Sequence, residues 1–397
     1  AAVGISSTVM NLFVFVLTGF CTGAGIMFSE FFGRGIKEDF RKCMFTSVVF
    51  GSLMTLLISG IAIALLRPLL NAIRTPGDLM SETYSYMLCV LIGLIFTYLY
   101  NLFSAILRAI GYPKASFYFL AASVILNLPL DYAFIAGLKM GVPGAAIATV
   151  LSQFIAALGS FLWLSRKKPE LICRRADFGW YPLLLKKVMK LGIFTALNNS
   201  SLYIGKLLVQ GAVDPLGTAG IAAYTAASRI EGFANAFGTT TGQATTIFVS
   251  QNLGAGKTLR IKDGLKKSLF ISAIIGAVFS AILYFLAVPG VSIFLGSSDT
   301  AALEQGASYL KLVAVFYIIL FVGDVLVGFF HGMDKVLVPF AGTTMHITLR
   351  VVISFCLVSA MGISAVALGT GLGWILTLMF HTFMFILLKQ RGKMFES

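Results

Sequence analysis

The chain is assembled from apolar runs as long as a lipid bilayer is thick. About 20 helical residues cross a hydrocarbon core of roughly 30 Å. Runs of that length or more recur at approximately 1–28, 44–66, 82–107, 115–137, 143–164, 188–212, 217–249, 268–288, 304–330, 336–359 and 365–388. Hydrophobic residues make up 58% of the 397 and charged residues 12%, too little polar surface for a water-soluble domain of this size. In hydrocarbon every backbone N–H and C=O must find its partner inside the protein. The expected fold is therefore an all-α polytopic membrane protein.

A net charge of +14 could suggest nucleic acid as a partner, but its placement argues otherwise. If the connections alternate sides, one set holds 23 of the 30 Lys and Arg, including Arg34, Lys37, Arg41, Lys42, Arg108, Lys114, the cluster from Arg166 to Lys190, Lys257 to Lys267, Lys335, Lys389, Arg391 and Lys393. The other set holds only Arg67, Arg74, Lys139 and Lys311. Cytoplasmic connections collect basic residues, so the charge reads as topology, with the carboxy terminus in the cytoplasm and the lipid bilayer as the partner. No nucleic-acid partner is expected.

The sequence also repeats itself. Ser29, Gly33 and Gly35 are matched 221 residues later by Ser250, Gly254 and Gly256, and Pro68, Gly141 and Thr149 by Pro289, Gly362 and Thr370. Ala1 and Ala2 fall on Ala222 and Ala223, yet the run at 188–212 has no counterpart in the first copy. The expectation is two six-helix bundles with the first helix missing before Ala1. The lobes would be residues 1–164 and 188–397, joined by a polar linker at 165–187. Even-numbered repeats enter from the same face, so a pseudo-two-fold along the membrane normal would relate them, with substrate bound between lobes that rock.

Ionisable groups are costly in hydrocarbon, so each is a candidate for function. Asp131 ranks first. Asn127 and Asp131 lie at i and i+4 on one helix face, and Pro129 between them removes a backbone donor. Counted from the outer helix ends, Asp131 and Thr149 both lie about 9 Å deep. A carboxylate, an amide oxygen and a hydroxyl at one depth suit a proton or Na⁺. Asn101 and Asp324 sit seven residues before Arg108 and His331 in the two copies and lie deeper, as gate or packing groups, with Ser104 beside Asn101. In the second half His346 and Arg350 share a helix face, and Arg350 falls near the repeat position of Asn127. An ion pair of Arg350 with Asp324 or Glu231 is expected there.

Gly254-Ala255-Gly256-Lys257-Thr258 resembles the end of a phosphate-binding loop, but Gln251 stands where the earlier glycine is needed and no strand precedes it. It and Gly33-Arg34-Gly35 read as helix C-caps. Cys21, Cys43, Cys89, Cys173 and Cys356 lack metal-ligand spacing. No cofactor, metal or enzymatic activity is expected beyond a coupling H⁺ or Na⁺.

Gln251-Asn252-Leu253-Gly254-Ala255-Gly256-Lys257, Leu107-Arg108-Ala109-Ile110-Gly111 and Asn127-xxx-Asp131 resemble motifs of the multidrug and toxic compound extrusion (MATE) transporters. The resemblance runs from the family's second helix to the end of its twelfth. It implies a monomeric cation-coupled antiporter of the cell membrane with a central cavity, exporting amphipathic, cationic organic compounds by alternating access. In prokaryotic members the amino-terminal lobe binds the ion through an Asp on the first helix and polar groups on helices four to six. Asn127, Asp131 and Thr149 match the fifth- and sixth-helix members, Asn101 and Ser104 compete for the fourth, and the first-helix Asp has no position here. The second-half counterpart of Leu-Arg-Ala-Ile-Gly is degraded to Phe330-His331-Gly332-Met333-Asp334, and Asn198 and Asn199 stand where some members carry a seventh-helix acid. The alternative is a lipid-linked saccharide flippase of the same superfamily, for which Lys206, Arg229 and Arg350 would converge. If the topology holds, a tag after Ser397 is cut by protease only once the membrane is opened; cutting in intact cells would reverse it.

Overall fold

The structure, a computed structural model, describes residues 2–72, 75–295, 299–392 and 394. Ala1 of the repeat and Arg74 and Lys393 of the charge pattern lie outside the described residues. The chain folds into helices α1 (Ala2–Arg34), α2 (Lys37–Ala64), α3 (Leu66–Ala72), α4 (Gly77–Ile92), α5 (Leu94–Ala109), α6 (Pro113–Tyr132), α7 (Gly141–Lys167) and α8 (Pro182–Val213). It continues as α9 (Gly217–Gly254), α10 (Thr258–Phe285), α11 (Ala287–Ser292), α12 (Thr300–Ala314), α13 (Tyr317–Gly332), α14 (Leu337–Met361) and α15 (Ser364–Gln390). There is no strand among the described residues.

Among the described residues seven helices are long and apolar enough to cross a membrane, or up to nine spans if α4–α5 and α12–α13 each count as one. The expected runs at 188–212 and 217–249 form the long helices α8 and α9 but fall outside that set. The reason is polar content: Asn198-Asn199-Ser200-Ser201 and Lys206 interrupt α8, and Arg229, Glu231 and Thr239-Thr240-Thr241 interrupt α9. The two bent pairs turn by 44° and 54°. In α4–α5 the break falls at Gly93, where a Cβ would lie 2.2 Å from a Val150 methyl, so α7 presses on the backbone itself.

The helix ends follow local chemistry. Gly35 and Gly256, partners in the repeat, take φ of +74° and +68°, a region only glycine enters without strain. The Gly256 amide bonds to the Leu253 carbonyl and the Lys257 amide to the Asn252 carbonyl, closing the end of α9. Both glycine motifs are helix caps, as their sequence suggests.

Contacts divide the chain into two compact units, Ala1–Leu197 and Asn198–Ser397. The division falls inside α8 rather than at the 165–187 linker, because the first half of α8 is pressed onto α1. A Cβ at Gly23 would lie 2.4 Å from the Gly192 nitrogen, and one at Gly19 2.3 Å from the Ala196 Cα. Within the first unit α1 also packs on α2, α4 and α5, and α7 on α4, α5 and α6. Polar contacts close its basic end. Glu30 is buried and bonds Arg34 and the Lys187 ammonium, the latter at 2.8 Å. Arg41 donates to Asp177 at 2.7 Å, and Phe178 and Trp180 of the linker meet Phe45 and Phe50 of α2 at ring distances of 4.8 and 5.1 Å. In the second unit α14 packs on α15, and α13 on α9, α10 and α15. Its core is aromatic, with Tyr224, Tyr309, Tyr317 and Phe321 fully enclosed.

Gly23→Ala must push α8 off α1, at a cost of about 1–3 kcal/mol, so the thermal midpoint should fall by several degrees. Gly60→Ala, inside α2 with open space at its Cβ, should not lower it and should raise it slightly through helix propensity. Burial alone would raise the Asp177 carboxyl, but the Arg41 guanidinium and the Arg174 amide outweigh it and hold the group below its ordinary 3.8. The stabilisation of wild type over Asp177→Asn should therefore be full above pH 3.8 and vanish as pH falls through the lowered value, read as the difference in melting midpoints.

Candidate functional site in the first unit and its counterpart in the second

Pro129 sits inside α6 and leaves the Ile125 carbonyl without its helical donor; one turn later the helix loosens into a π-turn over Ala133–Gly137. Asn127 and Asp131 bracket this weak point. Asn127 Nδ2 and Asp131 Oδ1 are both enclosed and both lack a hydrogen-bond partner. A buried unsatisfied polar atom costs about 1–3 kcal/mol, so two of them on one helix face point to something they hold in turn.

The surroundings come from α4 and α7. Thr149 lies on α7, which packs along α6, and its hydroxyl donates to the Ala145 carbonyl at 3.0 Å, leaving its lone pairs free. No hydrogen bond joins Asn127, Asp131 and Thr149 to one another. Two further polar residues on the helices packed here were passed over by sequence reasoning. Gln153, one turn beyond Thr149, has an enclosed and unpartnered Oε1, and Tyr86 of α4 lies within reach of the Asp131 charge. The i,i+4 spacing of Thr149 and Gln153 carries a signal for the first. An oxygen-rich set of carboxylate, amide, hydroxyl and phenol suits a hard cation or a proton.

Asn101 and Ser104 point to other work. Asn101 Nδ2 donates to the Thr97 carbonyl of its own helix at 2.8 Å. Ser104 is hydrogen-bonded to Ser116 of α6 and accepts from Arg108 Nη1 at 2.7 Å, so it ties α5 to α6.

In the second unit Asp324 Oδ2 is enclosed and unpartnered, and α9 approaches it so closely that a Cβ at Gly238 would lie 2.5 Å away. His346 is buried against Gly373, its Nε2 unpartnered and its ring 6.3 Å from that of Trp374. The expected ion pair of Arg350 with Asp324 or Glu231 is absent; among the described residues neither carboxylate comes within ion-pair distance of it. Two tyrosines stand between instead. Arg350 Nη2 donates to the Tyr224 hydroxyl at 3.4 Å, the Tyr309 hydroxyl donates to Glu231 Oε2 at 2.8 Å, and the two rings meet edge to face at 6.0 Å. Arg229 stacks on Phe294 at 5.7 Å and is exposed, whereas Lys206 and Arg350 both act on Glu231. The three cations do not converge, and the flippase reading is not favoured. Among the described residues no group of three or more His, Cys, Asp or Glu could hold a metal ion.

Known proteins agree with this architecture. The chain is 27% identical over 359 residues to the probable multidrug resistance protein YpnP of Bacillus subtilis, covering 89% of this chain and 77% of that one. It is 25% identical over 405 residues to the probable multidrug resistance protein NorM of Thermotoga maritima, covering 99% and 85%. A crystal structure of MATE in the bent conformation superposes with a TM-score of 0.92 at 20% identity, over 100% of this chain and 89% of that one. Residues 1–133 and 195–356 match the MatE profile, and the chain belongs to the MatE family of multidrug efflux transporters, as a multi-pass membrane protein.

Proposed function

We propose that the protein is an H⁺- or Na⁺-driven antiporter of the cell membrane, exporting amphipathic, cationic organic compounds by alternating access, as a monomer with its carboxy terminus in the cytoplasm. Asp131 binds the coupling ion, with Asn127 and Thr149 beside it, and Tyr86 and Gln153 complete the oxygen-rich surroundings. The observation that carries this reading is the pair of enclosed, unpartnered atoms Asn127 Nδ2 and Asp131 Oδ1 on one face of a Pro-weakened helix. A proton removes the uncompensated charge of the Asp131 carboxylate; a sodium ion would take the Asp131 carboxylate and the Asn127 amide oxygen as ligands. Either state is better satisfied than the empty one, so ion binding biases the helix towards one conformation. The multidrug names of the YpnP and NorM relatives support the substrate class. No cofactor takes part.

Asp131→Asn keeps the shape and removes the exchangeable charge. In proteoliposomes it should abolish substrate uptake driven by a pH or sodium gradient while insertion and thermal midpoint stay near wild type. Unchanged gradient-driven transport would overturn the assignment, and running the two gradients separately identifies the ion.

A further inference from the structure

The two copies leave their bent helices by the same turn but equip that turn differently. Gly111 after α5 and Asp334 after α13 both take positive φ, +86° and +58°. The Tyr112 amide bonds the Leu107 carbonyl at 2.8 Å, and the Lys335 amide bonds the Phe330 carbonyl at 2.9 Å. These matched bonds set the local offset at 223 residues and pair Arg108 with His331, Ser104 with Val327 and Ser116 with Pro339. In the first unit the three polar side chains meet. Arg108 Nη1 donates to Ser104 Oγ at 2.7 Å and to Ser116 Oγ at 3.3 Å, and the two hydroxyls bond each other. Both serines are buried. Among the described residues no carboxylate lies within ion-pair distance of Arg108, and the titratable groups facing it are the Tyr100 phenol and the Cys21 thiol. Its Nε and Nη2 have no hydrogen bond among the described residues and are not enclosed.

We propose that Arg108, Ser104 and Ser116 bind the phosphate of an anionic phospholipid in the leaflet on the Lys- and Arg-rich side of the membrane. A guanidinium partly withdrawn from water keeps its charge and still needs acceptors. The carbonyl end of α5 offers it about half a charge. Yet His331 closes α13 at the same place, so the turn itself does not require a permanent cation. A planar guanidinium flanked by two hydroxyls suits the oxygens of a phosphodiester, which accept several hydrogen bonds at once. Three features of the surroundings favour a headgroup over a soluble anion. The α5–α6 connection carries Arg108 and Lys114 and belongs to the basic set, on the side where anionic headgroups collect. Beside it Tyr112 meets Trp163 edge-on at 5.0 Å, with the Lys168 ammonium 5.8 Å from its ring, a combination typical of the membrane–water boundary. Directly after Ser116, α6 exposes an apolar stripe of Phe117, Leu120, Val124 and Leu128, along which an acyl chain can lie. With His, Val and Pro at the three positions, the second unit has no such site at its own turn.

The test titrates the purified protein in non-ionic detergent with dioleoylphosphatidylglycerol and reads the thermal midpoint, with dioleoylphosphatidylcholine and inorganic phosphate run in parallel. The midpoint should rise saturably with phosphatidylglycerol and respond far less to the other two. An equal rise with inorganic phosphate means a soluble-anion site, and an equal rise with phosphatidylcholine means no recognition of charge; either overturns the proposal. Arg108→Gln should weaken the phosphatidylglycerol response on the order of tenfold, and Ser104→Ala/Ser116→Ala should weaken it less. Arg260→Gln, which removes an exposed cation from α10, should leave it unchanged. Equal weakening by Arg260→Gln and Arg108→Gln marks unspecific attraction to basic protein and sinks the site. If Arg108→Gln does not accumulate, Arg108→His replaces it, since the second unit closes the same turn with His331. Measured at about pH 8, where an ordinary imidazole is neutral, that variant should show the same loss. A wild-type response in the Arg108 variant refutes the proposal.

Discussion

In hydrocarbon a polar group without a partner has nowhere to go, and nearly every feature of this protein is an answer to that constraint. The backbone solves it by being helical almost throughout. Where helices end, glycines at positive φ and short bonds to the last carbonyls close them, as after α9. Hydroxyl side chains solve it locally. Thr55, Thr149, Ser152, Thr246 and Thr370 each donate to the carbonyl four residues back, so a polar residue costs little inside a span. Against that background the atoms left unsatisfied stand out, because satisfaction was so readily available.

Close packing does the rest. Water drives apolar helices together only when water is the alternative, and between spans in lipid that drive is absent. Contact then depends on how near two backbones can come. The small faces do this work: Gly19 and Gly23 of α1 against Ala196 and Gly192 of α8, and Gly242 of α9 against Gly328 of α13, where an added Cβ would lie 2.1 Å from a carbonyl oxygen. These approaches also explain why α8 divides between the two units. Its first half is bound to the first unit by glycine contact and by Lys187 on Glu30, and its second half meets α14 of the second unit, where a Cβ at Gly205 would fall 2.7 Å from an Ile347 methyl.

Much of this could be read in the sequence, because the constraints are one-dimensional. Span length, the collection of Lys and Arg in alternate connections, and the 221-residue repeat are properties of a string. That Asn127 and Asp131 share a helix face was legible for the same reason: i and i+4 is a face, and Pro129 between them is a local event. What escaped were groups whose meaning lies in a neighbour from another helix. Gln153 and Tyr86 become candidates only through the packing of α7 and α4 on each other and of α7 on α6. Glu30, Lys187 and the Arg41–Asp177 pair join segments 157 and 136 residues apart, and no pattern along the chain announces them. The pairing of Arg350 with a carboxylate erred in the same way. The charges were right, but two tyrosine hydroxyls fill the space between them.

That substitution of a phenol bridge for a direct contact matters for how the second unit is built. The guanidinium is only partly satisfied, since Arg350 Nε is enclosed without a partner. Passing the interaction through Tyr309 and Tyr224 lets one oxygen donate to the carboxylate and the other accept from the guanidinium, while both rings fill the core between α9 and α12. The charges are compensated at longer range, and the aromatic area they need for company is the area that packs the unit. The first unit makes the opposite choice at the equivalent place: a carboxylate, no fixed cation, and a helix loosened by Pro129. Both copies keep enclosed polar atoms without partners, Asn127 Nδ2 and Asp131 Oδ1 in the first and Asp324 Oδ2, His346 Nε2 and Arg350 Nε in the second, but they keep them at different places. A ligand shifts a conformational equilibrium only where it interacts differently with the two states, and enclosed groups left without partners are where such a difference can arise.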